Sequence, residues 1–414
     1  MTSRTDAGGE APETAQPPAA DRSRASVYVI AAAICATSMS YNLWYPFLPL
    51  YVLELGATSD ANAVFWMSIA LTAQGAGRLA SSAVWGVLSD RLGRKVMLLR
   101  ALYLGTFTFG VAAVAQAPWH LAVALFCQGF FSGFVPASVA LVSVIVPDSR
   151  LNRSLSIVTG SQYLGSTIGP AVGAGLALLL SYRGSIAVAA VVPFIAGTAI
   201  LLMVPRDQVP ARPAPDDTSK PQMEPFHMSG QFKLAIGALF TLYCMNEMIR
   251  LATPIALKGL KGSEDVAGEA GLAFSLAGLV SAVSVLFLAP RVFRGTPSGP
   301  PFLLICSIGC AGFLLVALAG GVPVYILGFL TIFLVVSAMV PALNTLIAAN
   351  VRRSRRGTAF GVAGTVQALA FAVGPLAGAF FAAVSLDAGF VAVALLFLAL
   401  GFVLFTWVRE PQPL

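Results

Sequence analysis

Two long apolar runs are separated by the basic segment Gly86-Val87-Leu88-Ser89-Asp90-Arg91-Leu92-Gly93-Arg94-Lys95. Its two glycines permit a close helix approach and a sharp reversal of the chain. Its one acidic residue lies among three basic ones, which suits a depth at which charged heads reach water. We therefore expect a loop at a membrane surface that works as a movable cytoplasmic gate, formed by Gly86, Asp90, Arg91, Gly93, Arg94 and Lys95.

The composition is that of a membrane protein. The chain of 414 residues is 57% hydrophobic and 10% charged, whereas soluble domains carry about 25% charged residues. The net charge of +7 is placed as membrane topology requires, so we expect no nucleic-acid partner. All five cysteines lie within apolar runs, which favours packing over a disulfide framework.

Apolar runs of about 20 residues recur along the chain, each long enough to cross a bilayer. The run from Val27 to Tyr51 is too long for the apolar core of a signal peptide, so we interpret it as the first helix. The predicted spans are 27–51, 62–88, 96–115, 119–146, 155–181, 185–204, 231–257, 270–290, 301–319, 323–350, 357–384 and 388–408.

These spans predict an all-α membrane protein with twelve transmembrane helices in two pseudo-symmetric six-helix bundles. A loop rich in Pro and charged residues separates the two halves and indicates a flexible linker. The predicted domains are a disordered tail 1–26, a bundle 27–204, the linker 205–230, a second bundle 231–408 and a short tail 409–414.

Lys and Arg are distributed asymmetrically between the predicted connections. With both termini inside, the basic residues within 91–100, 150–153, 291–294 and 352–356 fall on cytoplasmic turns. This arrangement satisfies the positive-inside rule. We therefore expect a multi-pass protein of a bacterial-type inner membrane with a cytoplasmic linker and cytoplasmic termini.

The two halves are related in sequence when one is shifted by 205 positions. Val135-Pro136-Ala137 then falls on Val340-Pro341-Ala342, and Gly169-Pro170 falls on Gly374-Pro375. A chance alignment of two apolar sequences would not match Gly and Pro positions repeatedly at a single offset. We expect two parallel repeats that face each other across a cavity near the middle of the membrane.

The basic segment resembles the loop between the second and third transmembrane helices of the major facilitator superfamily, which reads G-x-L-[SA]-D-R-x-G-R-[KR]. Every fixed position is matched within 86–95. The resemblance covers nearly the whole chain and implies a secondary transporter that works by alternating access, and not an enzyme.

The predicted fifth helix also resembles that superfamily, in the Gly-Pro-rich signature of its exporters. The matching residues are Gly165, Gly169, Pro170 and Gly173, with Ala174 in place of the usual last glycine. Helix packing alone explains such glycines too. In the context of the family, the pattern implies efflux by antiport, with a bend at the proline.

Charges inside the predicted helices are few, and such charges usually face a cavity or pair with one another. The fourth helix has Leu125 where many family members place an arginine, so roles tied to that arginine are not transferred. In the seventh helix, four polar residues share one face, and the 205-residue shift relates them to a polar face of the first helix. The two stripes are Tyr243, Asn246, Glu247 and Arg250, and Ser38, Tyr41, Asn42 and Tyr45.

Glu247 is the only carboxyl group expected well inside the cavity. Desolvation favours the neutral form of a carboxyl group and a nearby arginine favours the ionised form, so we expect Glu247 to bind the coupling proton, with Arg250 or Arg78 as its partner. A permanent Glu247–Arg250 pair that only fixes helix packing is the alternative. Arg78 is also placed to bind an anionic group of a substrate.

Further polar residues within the predicted helices are candidates for substrate contacts, although hydrogen bonds between helices explain them equally. They are Gln74, Gln128, Gln162, Asn344 and Gln367. The sequence has no phosphate-binding loop, metal-ligand cluster or nucleophile constellation, so no cofactor or metal is expected.

Three functions remain open at this point. The first is proton-driven export of a small organic molecule, such as a drug or a secreted siderophore-like metabolite, by a monomer in the lipid bilayer. The second is proton-coupled uptake of a nutrient, which uses the same fold. The third is a membrane sensor that transports nothing.

Overall fold

The computed structural model describes residues 19–205, 229–262, 266–293, 299–351 and 356–408, and its regular elements there are all helical. We label the helices in chain order. They are α1 (Ala19–Leu43, continued by Tyr45–Phe47 and Leu48–Glu54), α2 (Asp60–Leu92), α3 (Arg94–Ala113), α4 (Pro118–Phe131, then Phe134–Ile145), α5 and α6 (together Asp148–Met203), α7 (Gly230–Lys261), α8 (Ala267–Val283, then Ser284–Leu288 and Ala289–Val292), α9 (Gly299–Ala317), α10 (Val322–Ala349), α11 (Arg356–Val384) and α12 (Leu386–Trp407).

The helices make a multi-pass membrane protein. Ten helical stretches of the described residues are long and apolar enough to cross a bilayer. One of them, Arg153–Met203, has 51 residues and turns at Ser181, whose φ of 73° interrupts the helix between α5 and α6. Helix α2, which carries Arg78 near its middle, is not among the ten. The number of twelve crossings therefore stays a prediction.

Three predicted boundaries differ from the structure. Helix α1 begins at Ala19, ahead of Val27, because Ala and Arg residues continue a helix well in water. The predicted basic loop is helical from Gly86 to Leu92, so the turn is Gly93 alone, with φ of 90°. The interval 182–184, predicted as a loop, is helical. Of the predicted disordered tail 1–26, residues 19–26 are therefore helical, while residues 1–18 lie outside the described residues. The same holds for most of the linker (206–228) and for the tail 409–414.

The fourth predicted span is also not continuous. Helix α4 stops at Phe131 and restarts at Phe134, with Gly133 in the left-handed region at φ of 114°. Arg100 was predicted on a cytoplasmic turn but lies in α3. It donates from Nη2 to the Ser132 carbonyl at 3.1 Å and stacks 3.6 Å from the centroid of Trp85. The break thus exposes a carbonyl group that a buried guanidinium satisfies.

The sequence repeat is visible as a repeat of helix contacts. On α5, Gly169 lies against the Met39 carbonyl, with 3.1 Å between its ideal Cβ position and the Asn42 Cβ. On α11, Gly374 lies against the Cys244 carbonyl, again 3.1 Å from the Glu247 Cβ. Each partner is displaced by the same 205 positions. The two bundles are therefore pseudo-symmetric, and α5 packs on α1 as α11 packs on α7.

The two bundles meet along α2 with α11 and along α5 with α8. Thr72 donates from Oγ1 to the Ala372 carbonyl at 2.7 Å, and Gly278 lies against Thr167. At one end of the molecule, Lys258 of α7 forms a 2.8 Å ion pair with Asp60 of α2. These contacts leave a cavity between α1, α2, α7 and α11.

Candidate functional site

The cavity between the two bundles has a volume of about 110 Å³. Helices of both bundles contribute to its wall. The lining residues are Tyr41, Asn42 and Tyr45 of α1, Leu71, Gln74 and Arg78 of α2, Glu247 and Arg250 of α7, and Phe371 of α11.

Glu247 is the only acidic residue of that wall. Only 5% of its surface is exposed, because Gly374 of α11 allows the two helix backbones to approach closely. Its Oε1 lies 3.8 Å from Nη1 of Arg250, one turn further along α7. That separation is an ion pair but too long for a direct hydrogen bond, so the carboxylate keeps the capacity to bind a further group.

Arg250 contacts both bundles. Its guanidinium lies 4.5 Å from the ring centroid of Tyr45 on α1 and 5.9 Å from that of Phe274 on α8. Its Nε is buried without a hydrogen-bond partner. Since Tyr45 and Arg250 occupy equivalent positions of the two repeats, this cation–π contact joins the two polar stripes directly.

A chain of hydrogen bonds extends from Tyr45 into the N-terminal bundle. Its hydroxyl donates to Gln74 Oε1 at 3.2 Å, and Gln74 Nε2 donates to Gln128 Oε1 at 2.5 Å. Gln74 is 4% and Gln128 3% exposed. Gln128 therefore lies behind the cavity wall and positions Gln74, whereas the sequence predicted it in the cavity itself.

Asn42 is fixed by neighbouring polar groups. Its Nδ2 donates to the Ser38 carbonyl at 2.8 Å and to Ser166 Oγ at 3.2 Å. The hydroxyl groups of Ser38 and Tyr41 are buried and have no hydrogen-bond partner. Tyr41 lines the cavity, while Ser38 lies beyond the lining residues.

Arg78 faces the cavity from α2. Its guanidinium lies 5.1 Å from the ring centroid of Phe371 on α11, across the boundary between the bundles. Its Nε is buried and has no hydrogen-bond partner. Among the residues that the structure describes, no carboxylate lies within ion-pair distance of Arg78.

The remaining predicted contacts lie outside the lining residues. Tyr243 packs edge-on against Phe371, with 5.9 Å between the ring centroids. Four others are partly buried but not part of the wall, namely Asn246, Gln162, Asn344 and Gln367.

Sequence reasoning missed Leu71 and Phe371. Leu71 is one turn before Gln74, and Phe371 is one turn after Gln367. Helical spacing from Gln74, which does line the cavity, could have pointed to Leu71, whereas Gln367 does not line the cavity and gave no such guide to Phe371.

The predicted gate is described only in part. The side chains of Asp90 and Arg91, and the surroundings of Gly86, lie outside what the structure describes. Arg94 donates to the Ala140 carbonyl at 3.2 Å, and Lys95 donates to the carbonyls of Leu201, at 3.0 Å, and Val204. Both basic residues thus contact their own bundle, where Lys95 satisfies carbonyl groups at the end of α6.

The predicted helix-bending motif serves close packing. A Cβ atom at Gly165 or Gly173 would overlap a carbonyl oxygen of α1. Pro170 lies inside the helix, and the helical backbone of Asp148–Met203 is interrupted at Ser181. The helix continues through the proline, and the bend predicted there stays a prediction.

Three comparisons place the chain among known proteins. A sequence profile described as Major Facilitator Superfamily matches residues 30–375 and 301–414. Multidrug resistance protein MdtG of Proteus mirabilis (strain HI4320) is 31% identical over 398 residues, covering 94% of this chain and 96% of that protein. MdtG of Escherichia fergusonii is 29% identical over 91% of this chain and 94% of its own length.

Solved structures show the same fold at lower identity. A bacterial homolog of the human lysosomal transporter Spinster, inward-facing and unoccupied, has a TM-score of 0.74 at 11% identity, covering 94% of this chain and 97% of that one. The human organic anion transporter MFSD10 (TETRAN) has a TM-score of 0.63 at 19% identity, covering 94% and 100%. These likenesses concern the fold alone.

Proposed function

We propose that this chain, which belongs to the Major Facilitator Superfamily, exports small organic molecules across a membrane in exchange for protons. The family profile covers most of the chain, and the relatives matched at 31% and 29% identity carry the name multidrug resistance protein. The chain is thus a membrane transporter, and drug-like molecules are the substrate class that we infer for it.

The observation that carries the proposal is the buried carboxyl group of Glu247 in the cavity between the bundles. A charged group inside a membrane protein is costly and is found where it works with a partner or a transported ion. Glu247 has its partner, Arg250, at 3.8 Å, on the wall of the same cavity. A carboxyl group in that position can bind a proton and become neutral, or stay ionised and pair with Arg250. The net charge of the cavity differs by one between these two states.

The exchange follows from the contacts of Arg250. When a proton neutralises Glu247, the attraction between the two side chains is lost and the guanidinium rests on the Tyr45 ring of the other bundle. When the proton leaves, the ion pair re-forms within α7. Arg250 makes both contacts in the structure, so protonation of Glu247 weakens the contact within α7 relative to the contact between the bundles. That change can bias which side of the membrane the cavity faces.

We further infer the cellular setting. The distribution of basic residues favours an orientation with both termini in the cytoplasm, in a bacterial inner membrane, and we take one chain as the working unit. Asp90, Arg91 and Arg94 then lie at the cytoplasmic side, where they gate access to the cavity. The Lys258–Asp60 pair closes the opposite, outer side.

Proton release tests the proposal. Purified protein in weakly buffered detergent solution is titrated with ethidium, tetraphenylphosphonium, and hydroxamate and catecholate chelators. We expect at least one ligand to release a proton from the wild type and not from Glu247→Gln. Glu269→Gln is the matched control, because it removes a carboxyl group paired with Lys261 away from the cavity.

Vesicle transport then separates the functions. In inside-out vesicles with an acidic lumen, an exporter accumulates the active ligand and a proton-coupled importer does not. Ligand binding with no proton release, or equal release from Glu247→Gln, contradicts coupling through Glu247. Binding without any flux in either vesicle orientation points to a sensor.

A further inference from the structure

Arg78 brings an uncompensated positive charge to the cavity. The wall contains two guanidinium groups, of Arg78 and Arg250, but one carboxylate, of Glu247. That carboxylate is paired with Arg250. Arg78 is half-buried, so part of the cost of desolvating a charge without an ionic partner applies to it, and a negatively charged ligand offsets that cost.

The contact between Arg78 and Phe371 offsets only part of that cost. A cation–π contact contributes about 0.5–2 kcal/mol, and at 5.1 Å it leaves the donors at the edge of the guanidinium plane unused. The Nε of Arg78 is buried and has no hydrogen-bond partner. The planar guanidinium group of Arg78, with a donor that is not used, matches the geometry of a carboxylate, which accepts two parallel hydrogen bonds.

The size and the other wall residues narrow the ligand further. Drug-sized sites have volumes of roughly 300–1,000 Å³, whereas this cavity has about 110 Å³. In this conformation it accommodates an acidic head group and little more. The rings of Phe371 and Tyr45 and the Leu71 side chain provide the apolar surface for the adjoining part of the ligand.

We propose that Arg78 is the anchor for the carboxylate of an amphipathic organic acid whose apolar body lies against Phe371, so that the exported substrates include monoanions. With the acid bound and Glu247 ionised, two carboxylates balance two guanidinium groups. Because Arg78 and Phe371 belong to different bundles, the ligand also contacts both sides of the transport path. This assignment rests on the proposed function for its direction of transport but not for its binding chemistry.

A matched pair of ligands tests the anchor. Binding of 2-naphthoate and of its neutral isostere 2-naphthamide is measured by calorimetry with the full chain in detergent. A hydrogen-bonded charge contact contributes about 1.5–3 kcal/mol, so we expect wild-type protein to bind the acid at least tenfold more tightly than the amide. In Arg78→Gln that preference should vanish while amide affinity is retained.

The control is Arg291→Gln, which removes an exposed arginine of α8 and should keep the wild-type preference. Equal binding of acid and amide by the wild type, or a parallel loss of both ligands in Arg78→Gln, overturns the anchor. If Arg78→Gln does not fold, Arg78→Lys decides: it keeps the charge without the planar fork, so the preference should fall but persist, and an unchanged preference overturns the anchor.

The outcomes also separate this inference from the proposed function. Proton release by ethidium through Glu247, together with no preference for 2-naphthoate, leaves the exporter standing and removes the anchor. A preference for 2-naphthoate that depends on Arg78, together with no proton release and no flux by any ligand, keeps the anchor and removes the exporter.

Discussion

Tyr45 is the residue at which the proposed proton site meets the other bundle. Its ring supports Arg250 at 4.5 Å, while its hydroxyl donates to Gln74. The ring and the hydroxyl therefore have separate tasks. In the proposed exchange, the ring holds the Arg250 guanidinium when Glu247 is neutralised, and the hydroxyl fixes the position of the ring.

This division predicts different effects for two substitutions of Tyr45. Tyr45→Leu removes the ring, so the proton-loaded state loses a contact of about 0.5–2 kcal/mol and coupled export should slow about two- to thirtyfold. Tyr45→Phe keeps the ring and removes only the hydroxyl, so its rate should stay within about threefold, the cost of a weak hydrogen bond. Export rates in proteoliposomes at limiting proton gradient provide the comparison. Equal losses in both variants would assign the effect to the hydroxyl.

The polar stripes show which residues of the cavity could be predicted from the sequence. Charged and amide side chains are rare in membrane helices, so helical spacing and the 205-residue offset were enough to bring Asn42, Tyr45, Glu247 and Arg250 to one cavity. Phe371 was missed because an apolar residue in a membrane helix can face lipid, a neighbouring helix or a cavity, and the sequence does not distinguish these three environments.

Close packing of α5 on α1 determines how near the helix backbones around the site lie to one another. Glycines at three successive turns of α5 lie against α1 backbone atoms, and the same arrangement recurs at Gly374 on α11. Without side chains at these positions, helix backbones approach closely and pack by van der Waals contact. This packing places Asn42 and Glu247 at equivalent positions.

Two glycines of α5 provide a matched test of this packing. A Cβ atom at Gly173 would overlap the Leu43 carbonyl, whereas Gly175 has nothing within 4 Å. We expect Gly173→Ala to destabilise the protein by about 1–3 kcal/mol through overpacking. Gly175→Ala should be neutral or stabilising by up to about 1 kcal/mol, because Ala is the better helix former. Thermal unfolding of the two variants in the same detergent measures the difference, and equal midpoints would contradict the packing argument.

The lengths of the apolar runs predicted where the helices lie along the chain but not where the helices are interrupted. Gly133 and Ser181 adopt positive φ angles, and neither is distinguished in sequence from the many small residues that only pack. The basic segment was predicted as a loop because of its charges. At the end of a membrane helix, however, charged residues reach water while the backbone stays helical, so the turn shrinks to Gly93.

Among the residues that the structure describes, an ion pair joins the two bundles at the end that we assign to the outside. Lys258 of α7 and Asp60 of α2 are 2.8 Å apart. A second pair at the same end, Lys261 with Glu269 at 2.5 Å, connects α7 to α8 within one bundle. The first pair is therefore sensitive to separation of the bundles and the second is not.

Removing one lysine from each pair should separate these roles. A partly exposed ion pair contributes about 0.5–1 kcal/mol, so Lys258→Gln should raise the population of states opened at this end about two- to fivefold. Hydrogen–deuterium exchange of the segment 55–65, which contains Asp60, should rise by that factor. Lys261→Gln removes the same charge without touching the contact between bundles, so exchange of that segment should stay at the wild-type rate.

If both variants raise exchange equally, the effect is one of general charge loss and the Lys258–Asp60 pair does not hold the bundles together. If only Lys258→Gln does so, closure of this end depends on a contact that alternating access must break in every transport cycle, and a faster outward opening in that variant follows from the same free energy.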